Sequence, residues 1–558
     1  MRIRRISRIR PMLFAPTLIS LLVAALGCGD RGDPFSVAER PASLSVKGGA
    51  PSALTPDDTV LTVGQSVQMS GAPVADSGRK SRPAVWSSSD NGVATVSTSG
   101  QVTAVAVGTT TITAASGRTR SMGTVTVTDG SVGSGTAPPP ATLSGQPSDT
   151  AVVPAAVPAS LNAVPAVSAR SADAFVNSIG VNTHLNYLDL VYGTGYASII
   201  RPKLVSLGVR HIRDGLNVWP EVATRYRELA THGVKLTAVT EPKDGNYDDA
   251  SHILPQADVI SSALEAFEGP NEPDLFWAVD WTGKARRFQQ AVYTAVKGSP
   301  AWGRTPVVQM ALSGFGAPPA VGDMSGYADQ GNLHPYPGGK QPTNLLQSYL
   351  GTWAVINGAD PLHVTETGYH TAPASADSWQ TGVSESAQAK YVPRLFLEYF
   401  LSGIQRTFLY ELIDERANLT RSEDNYGLLR NDGSEKPAYI ALKNTIALLA
   451  DPGPTFTPGQ LGYDLSGDLS NVHSLLLQKR DGTFYLVLWL DVPSYDHSQR
   501  RDLPVSGRPL TLTLATPARE TRTYFPLESM SPSAQTGAVT QLRVTVPDHP
   551  MIIKLVPQ

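Results

Sequence analysis

Ala263-Leu264-Glu265-Ala266-Phe267-Glu268-Gly269-Pro270-Asn271-Glu272-Pro273-Asp274 is the stretch from which the fold can be read. A short apolar run closes near Phe267, Gly269-Pro270 breaks it, and a glutamate follows in the loop. Pro361-Leu362-His363-Val364-Thr365-Glu366-Thr367-Gly368-Tyr369 repeats the arrangement with Glu366 at the end of its run. Six more runs of this kind lie around them: Ser178–Asn182, Val209–Arg213, Lys235–Val239, Pro306–Met310, Gly331–His334 and Thr407–Tyr410. Helix-length amphipathic segments such as Pro220–His232 and Ser386–Ser402 separate them. Strands alternating with helices predict a central (β/α)8 barrel of the TIM type over 171–451. A doubly wound sheet would show a Gly-rich turn after an early strand, and this chain has none.

The flanks read differently. From 42 to 129, short alternating runs are punctuated by Gly, Ser, Asp and Asn, which predicts an N-terminal β-sandwich. Val85-Trp86-Ser87-Ser88, Val93-Ala94-Thr95-Val96, Gly100-Gln101-Val102-Thr103-Ala104 and Gly108-Thr109-Thr110-Thr111-Ile112 carry the detail. In this order they resemble the bacterial group-2 immunoglobulin-like (Ig-like) module, which implies a surface spacer or, less commonly, a partner-binding module. Residues 130–170, rich in Pro, Ala and Ser around Pro138-Pro139-Pro140, form a linker. Alternation returns over 452–558 and predicts a C-terminal β-sandwich, so the chain is multidomain.

Residues 1–28 are an export address. Arg2, Arg4, Arg5, Arg8 and Arg10 precede an apolar stretch from Met12 to Leu26, short for a membrane span. It ends at Ala25-Leu26-Gly27-Cys28, which resembles a bacterial lipobox. That implies a signal peptide, lipidation of Cys28, a tether over 29–41, and an exported lipoprotein at the outer membrane or cell surface. The protein is secreted if the lipobox is not used. Cys28 is the only cysteine, so no disulfide forms within a monomer, the expected state. A net charge of −3, with acidic and basic residues nearly balanced, speaks against a nucleic-acid footprint, which needs a clustered basic face on the folded domain.

Barrel enzymes carry their chemistry where the strands end. The residues there include His184, Arg213, Glu241, Asn271, Glu272, Ser313, His334, Tyr336, Glu366, Tyr410 and Glu411. Acid-assisted glycoside cleavage needs two carboxyl groups, one holding a proton for the leaving oxygen and one ionised. The elements in this order resemble the clan of retaining glycoside hydrolases with two catalytic glutamates (clan A).

The resemblance implies that Glu272 is the acid/base and Glu366 the nucleophile, with Asn271 on the sugar 2-hydroxyl. It further implies Arg213 beside Glu366, Tyr336 donating to the nucleophile or the sugar, and His334 lining the pocket. His184, Tyr410, Glu411 and Trp277 complete the expected carbohydrate-binding set, with Glu411 on a sugar hydroxyl or paired with an arginine. Tyr410 falls where many members carry tryptophan. Glu268 is expected to be structural, and Glu272 to titrate high because ionised Glu366 is close. No metal-ligand spacing, phosphate loop or nucleophile elbow is present, so no cofactor is expected. Two alternatives remain: a non-catalytic carbohydrate-binding or adhesive lipoprotein on a degenerate barrel, and an inverting glycosidase with carboxyl groups about 6.5 Å or more apart.

Overall fold

The computed structural model describes residues 53–69, 85–88, 92–97, 99–116, 119–128, 164–277, 279–375 and 380–558. The signal peptide with Cys28, the 29–41 tether and most of the 130–170 linker lie outside the described residues. Two compact units divide the chain, one within Ala38–Ala156 and one running from Val157 to Gln558.

The smaller unit holds two sheets. Ala53–Thr62, Thr119–Thr128, Gly108–Ser116 and Val85–Ser88 form one, in that order, and Ser66–Gln68, Gln101–Ala104 and Ala94–Val96 the other. Their core is Leu61, Met69, Ala94, Val102, Ala104, Ile112, Ala114, Val125 and Val127, with alternate residues supplied by strands such as Gln101–Ala104 and Gly108–Ser116. Gly100 sits at a φ of +87°, where a Cβ would come within 2.6 Å of the Trp86 ring, so only glycine fits beneath that indole.

In the larger unit all eight apolar runs form strands: β1 (Ile179–Asn182), β2 (His211–Gly215), β3 (Lys235–Val239), β4 (Leu264–Glu268), β5 (Val307–Val308), β6 (Gly331–Leu333), β7 (Leu362–Thr367) and β8 (Arg406–Leu409). They pair in parallel in the order β5-β4-β3-β2-β1-β8-β7-β6. A parallel bridge between Val308 and Gln330, with Gln309 N donating to Gln330 O at 2.8 Å, ties β5 to the segment entering β6. The result is a barrel-like sheet whose strands run the same way. All strand C-termini, and every loop that follows them, therefore gather at one end. Helices including Pro220–Thr231, Trp281–Gly298, Leu346–Asn357 and Glu385–Leu401 connect the strands, Pro437–Leu449 follows the last of them, and all bury apolar residues against the sheet.

The C-terminal region is built on one connected nine-stranded sheet, beside which Tyr495–Asp496 and Arg501–Asp502 form a small hairpin. The long strand Arg508–Tyr524 joins its parts: residues 510–514 pair with Tyr463–Gly467, and 520–524 with Ile552–Val556. Phe484–Leu490 is buried at all seven positions. Leu486, Leu488 and Leu490 face the sheet's own core, while Tyr485, Val487 and Trp489 join the core of the barrel-like sheet. Burial on both faces explains the unbroken apolar sequence. Ala166–Ser168 and Arg170–Ser171, expected in the linker and at its boundary, are instead edge strands of this sheet against Gln460–Gly462 and Leu477–Gln478. They satisfy main-chain groups that an open edge would leave unpaired. Arg170 also donates to Phe400 O at 2.7 Å and lies over the Phe400 ring at 3.5 Å.

The sheet is fastened to Glu385–Leu401, the helix that leads into β8. Arg394, fully buried there, donates to Asp491 Oδ1 (2.8 Å), Asp548 O (3.0 Å) and Val492 O (3.0 Å). One turn on, Glu398 Oε1 accepts from Trp489 Nε1 at 2.7 Å and meets His473 Nδ1 at 2.6 Å. Removing one member of a buried pair strands the other. Arg394→Ala is therefore expected to destabilise the larger unit by about 3–5 kcal/mol. The paired change Arg394→Met/Asp491→Leu should cost less than the single one; urea unfolding followed by tryptophan fluorescence measures both.

Candidate active site

Arg213, the central residue of β2, organises the mouth of the barrel-like sheet. Register places it beside Asn182 of β1. All five of its N–H groups are engaged. Nε and Nη2 form a two-pronged contact with Glu268 at 2.8 Å each. Nη1 donates to Glu366 Oε1 (2.5 Å) and Asn182 Oδ1 (3.2 Å), and Nη2 also donates to Asn271 Oδ1 (2.8 Å). Burial alone would lower the guanidinium pKa, but Glu268 and Glu366 outweigh it and hold it above its ordinary value.

Sequence determines how Glu272 is presented. After Glu268 the chain turns at Gly269, where a Cβ would come within 1.9 Å of Gln289 Oε1. Asn271 N donates to Glu241 Oε1, at the end of β3, at 3.0 Å. Glu272 itself is held at φ 43° and ψ 53°, a left-handed conformation costing roughly 1–2 kcal/mol for a residue with a Cβ. Pro273 then starts the short helix Pro273–Phe276, where its missing N–H costs nothing.

His334, just beyond β6, stands between the two carboxylates. Its Nδ1 lies 2.8 Å from Glu272 Oε1 and 3.7 Å from Glu366 Oε2. Glu272, His334 and Glu366 each offer an atom within 4.8 Å of the other two. The neighbours of Nε2 assign the histidine's protons. Thr365 Oγ1, 2.9 Å from Nε2, also lies 3.0 Å from Glu268 Oε1 and 2.9 Å from Asn332 Oδ1, which only accept. Thr365 gives its proton to one of them and accepts from Nε2–H. One further proton then sits in the Nδ1–Glu272 contact.

Charges separate accordingly. Two ionised carboxylates this close repel by about 3 kcal/mol at an effective dielectric near 20. Burial raises the Glu272 pKa more than His334 lowers it, and the group stays above the ordinary glutamate value. Burial would also raise Glu366, but His334, Arg213 and the Tyr336 hydroxyl, at 2.9 Å from Oε2, together hold it below. His334 is pushed down by burial and up more strongly by Glu366 and Glu272. The expected proximity effect of Glu366 on Glu272 is present but subordinate; burial is the main cause. The two side chains keep 13 % and 12 % of their surface exposed, so a ligand can reach them.

The structure thus brings Glu272, Glu366, Asn271, Arg213, His334 and Tyr336 together. His184, Tyr410 and Glu411 form a neighbouring cluster where β1 meets β8. His184 stacks on Tyr187 at 4.6 Å and meets the Tyr410 ring edge-on at 5.6 Å. Tyr410 OH donates to Glu423 Oε1 at 2.6 Å. The arginine expected beside Glu411 is absent among the described residues: this fully buried carboxylate takes the Tyr192 hydroxyl at 2.7 Å and faces His184 Nε2 at 3.6 Å. Its burial also contradicts direct contact with a sugar hydroxyl. Trp277 packs on Tyr247 at 4.8 Å in the loops after β3 and β4. Glu268, Asn182, Asn332 and Thr365 were not among the expected site residues. Glu268 alone left a signal, an acid closing an apolar strand one strand-pair away from an arginine.

Residues 50–127 match the family model of the bacterial Ig-like domain (group 2). No curated protein matches the chain. Among solved structures, the chain is similar to a family 39 glycoside hydrolase from the gut symbiont Bacteroides cellulosilyticus WH2, at 14 % identity and a TM-score of 0.48, covering 90 % of this chain and 99 % of that one. A glucosidase from Croceicoccus marinus follows at 13 % identity and 0.44, covering 65 % and 94 %. A Bacteroides uniformis β-glucuronidase has 13 % identity and 0.38, covering 68 % and 43 %. These structural neighbours are glycoside hydrolases.

Because Arg213 and Tyr336 both lower the Glu366 pKa, Tyr336→Phe should raise it, and Arg213→Met should raise it further while stranding Glu268. Carboxyl-carbon NMR titration of Glu366 in the three proteins measures the order wild type, Tyr336→Phe, Arg213→Met.

Proposed function

We propose that this protein is a retaining glycoside hydrolase of the two-glutamate clan, built on a (β/α)8 barrel. The observation that carries the reading is the carboxyl pair: Glu272 and Glu366 offer oxygens within 4.8 Å of each other, one acid raised and its partner lowered in pKa. Retaining enzymes hold their carboxyl groups about 5–5.5 Å apart, whereas inverting ones leave room for a water at about 6.5–9.5 Å.

In this reading the sugar lies across the mouth, with its anomeric carbon against Glu366. The proton held between His334 and Glu272 passes through Glu272 to the glycosidic oxygen as the C–O bond breaks. Glu366, kept ionised by Arg213, attacks the anomeric carbon and forms a glycosyl-enzyme ester. Glu272, now ionised, takes a proton from a water that displaces Glu366 and regenerates both groups. Asn271 has its Oδ1 committed to Arg213, which leaves its amide N–H for the sugar 2-hydroxyl. His184, Tyr410 and Trp277 border the sugar rings, and Glu411 supports His184 from behind. The substrate is a poly- or oligosaccharide outside the cytoplasm, met by a monomeric lipoprotein anchored through Cys28, with the Ig-like module as its spacer.

Glu272→Ala should lower kcat on substrates with poor leaving groups by about 10²–10⁴-fold. Added azide should restore turnover as the β-glycosyl or α-glycosyl azide matching the substrate's configuration. A panel of aryl glycosides and polysaccharides provides the assay; wild-type protein that binds glycans but turns none over would make it a binding protein. The first-formed anomer, read by proton NMR, must keep the substrate configuration. For kcat/KM against pH, the acidic limb should fall below the ordinary glutamate pKa, because Glu366 is lowered. The basic limb should fall above it, because Glu272 is raised.

A further inference from the structure

Two polar atoms at the seam of β1 and β8 are buried with nothing to bond. His184 Nε2 and Glu411 Oε1 are shielded from water and have no hydrogen-bond partner. Such groups are uncommon in folded proteins, and a bound ion is one arrangement that satisfies them. They do not stand alone: one ring nitrogen of His184 and one oxygen each from Glu411 and Glu415 lie within 4.8 Å of one another.

We propose that His184, Glu411 and Glu415 bind a divalent transition-metal ion, Zn2+ or Mn2+, distinct from the catalytic carboxyl pair. Metal–ligand bonds of about 2.0–2.2 Å in tetrahedral geometry set neighbouring ligand atoms about 3.3–3.5 Å apart. His184 Nε2 and Glu411 Oε2 are already 3.6 Å apart. One imidazole nitrogen with two carboxylates suits Zn2+ or Mn2+ better than Ca2+ or Mg2+, which take oxygen ligands.

Surroundings support the assignment. Tyr192 OH holds Glu411 Oε2 at 2.7 Å, the kind of outer contact that orients a ligating carboxylate. Stacking on Tyr187 fixes the His184 ring. Neighbouring acids have partners of their own: Asp414 has Lys436 at 2.7 Å, and Asp424 has Arg416 at 3.2 Å. Glu411 has no lysine or arginine within ion-pair reach among the described residues, and Glu415 has only Arg416 at 3.4 Å. A dication supplies the charge these two lack. Val181 and Leu409 pair across the same seam, so the ion would clasp the loops after the first and last strands.

The test uses the full-length protein stripped with a chelator, titrated separately with Zn2+, Mn2+ and Ca2+ by calorimetry and thermal unfolding, with Mn2+ uptake also read by electron paramagnetic resonance. One equivalent of Zn2+ or Mn2+ should bind and raise the unfolding midpoint by about 2 °C or more at roughly hundredfold excess over Kd. Glu415→Gln and the milder Tyr192→Phe should each weaken binding by about tenfold or more. No stoichiometric uptake by wild type, a response to Ca2+ alone, or an affinity unchanged in both variants would overturn the proposal. So would Glu411→Gln losing glycan binding while stripped wild type takes up neither metal, which would make the cluster part of the sugar site. None of these readouts depends on hydrolysis.

Discussion

One guanidinium sets the state of the whole mouth. Arg213 spends its two parallel N–H groups on Glu268, a carboxylate with no solvent access, and only what remains reaches Glu366, Asn182 and Asn271. The fully buried acid fixes the plane of the guanidinium, and the plane fixes where Glu366 must lie. A lysine, with a single point of charge, could not hold four side chains in fixed relation. Glu268 in turn accepts from Asn332 and contacts Thr365, and Thr365 orients His334. The proton between His334 and Glu272 and the charge on Glu366 are thus two ends of one hydrogen-bonded network, centred beneath the cleft rather than in it.

Much of this frame was legible in the sequence because it rests on local pattern. Each strand of the barrel-like sheet is a short apolar run ended by Gly, Pro or a polar residue, and the residue after the run must lie at the strand's C-terminal end. That logic points to Glu272, Glu366, Arg213, His334 and Tyr336 as neighbours at one end of the sheet, and the structure brings their side chains together there. It failed where the physics is non-local. Tyr192 and Glu411 are 219 positions apart, and nothing in either neighbourhood announces the other. Thr365 and Asn332 look like ordinary strand residues until the sheet turns them inward. The pKa of Glu272 followed the expected direction for a different leading reason, because burial cannot be counted from neighbours in the chain.

The C-terminal region shows the same division. Its strands follow from alternation, but the length of Arg508–Tyr524 lets one strand serve two sets of partners. A pair of separate sheets therefore becomes a single continuous one. The linker boundary moved for a related reason. Ala166–Ser171 has too little apolar content to stand out as strand, and it becomes strand only because edges are waiting for it.

The fastening of that sheet to the helix Glu385–Leu401 bears on how such a chain can change over time. Arg394 and Glu398 act as a coded address on the outer wall of the barrel-like sheet, answered by Asp491, His473 and Trp489. A recombination event that grafted a different β-region after residue 452 would leave that address unanswered, with Arg394 buried and unpaired. Inheritance should therefore treat residues 164–558 as one indivisible module, and new substrate preferences should arise in the loops of the mouth rather than by exchange of the region behind it.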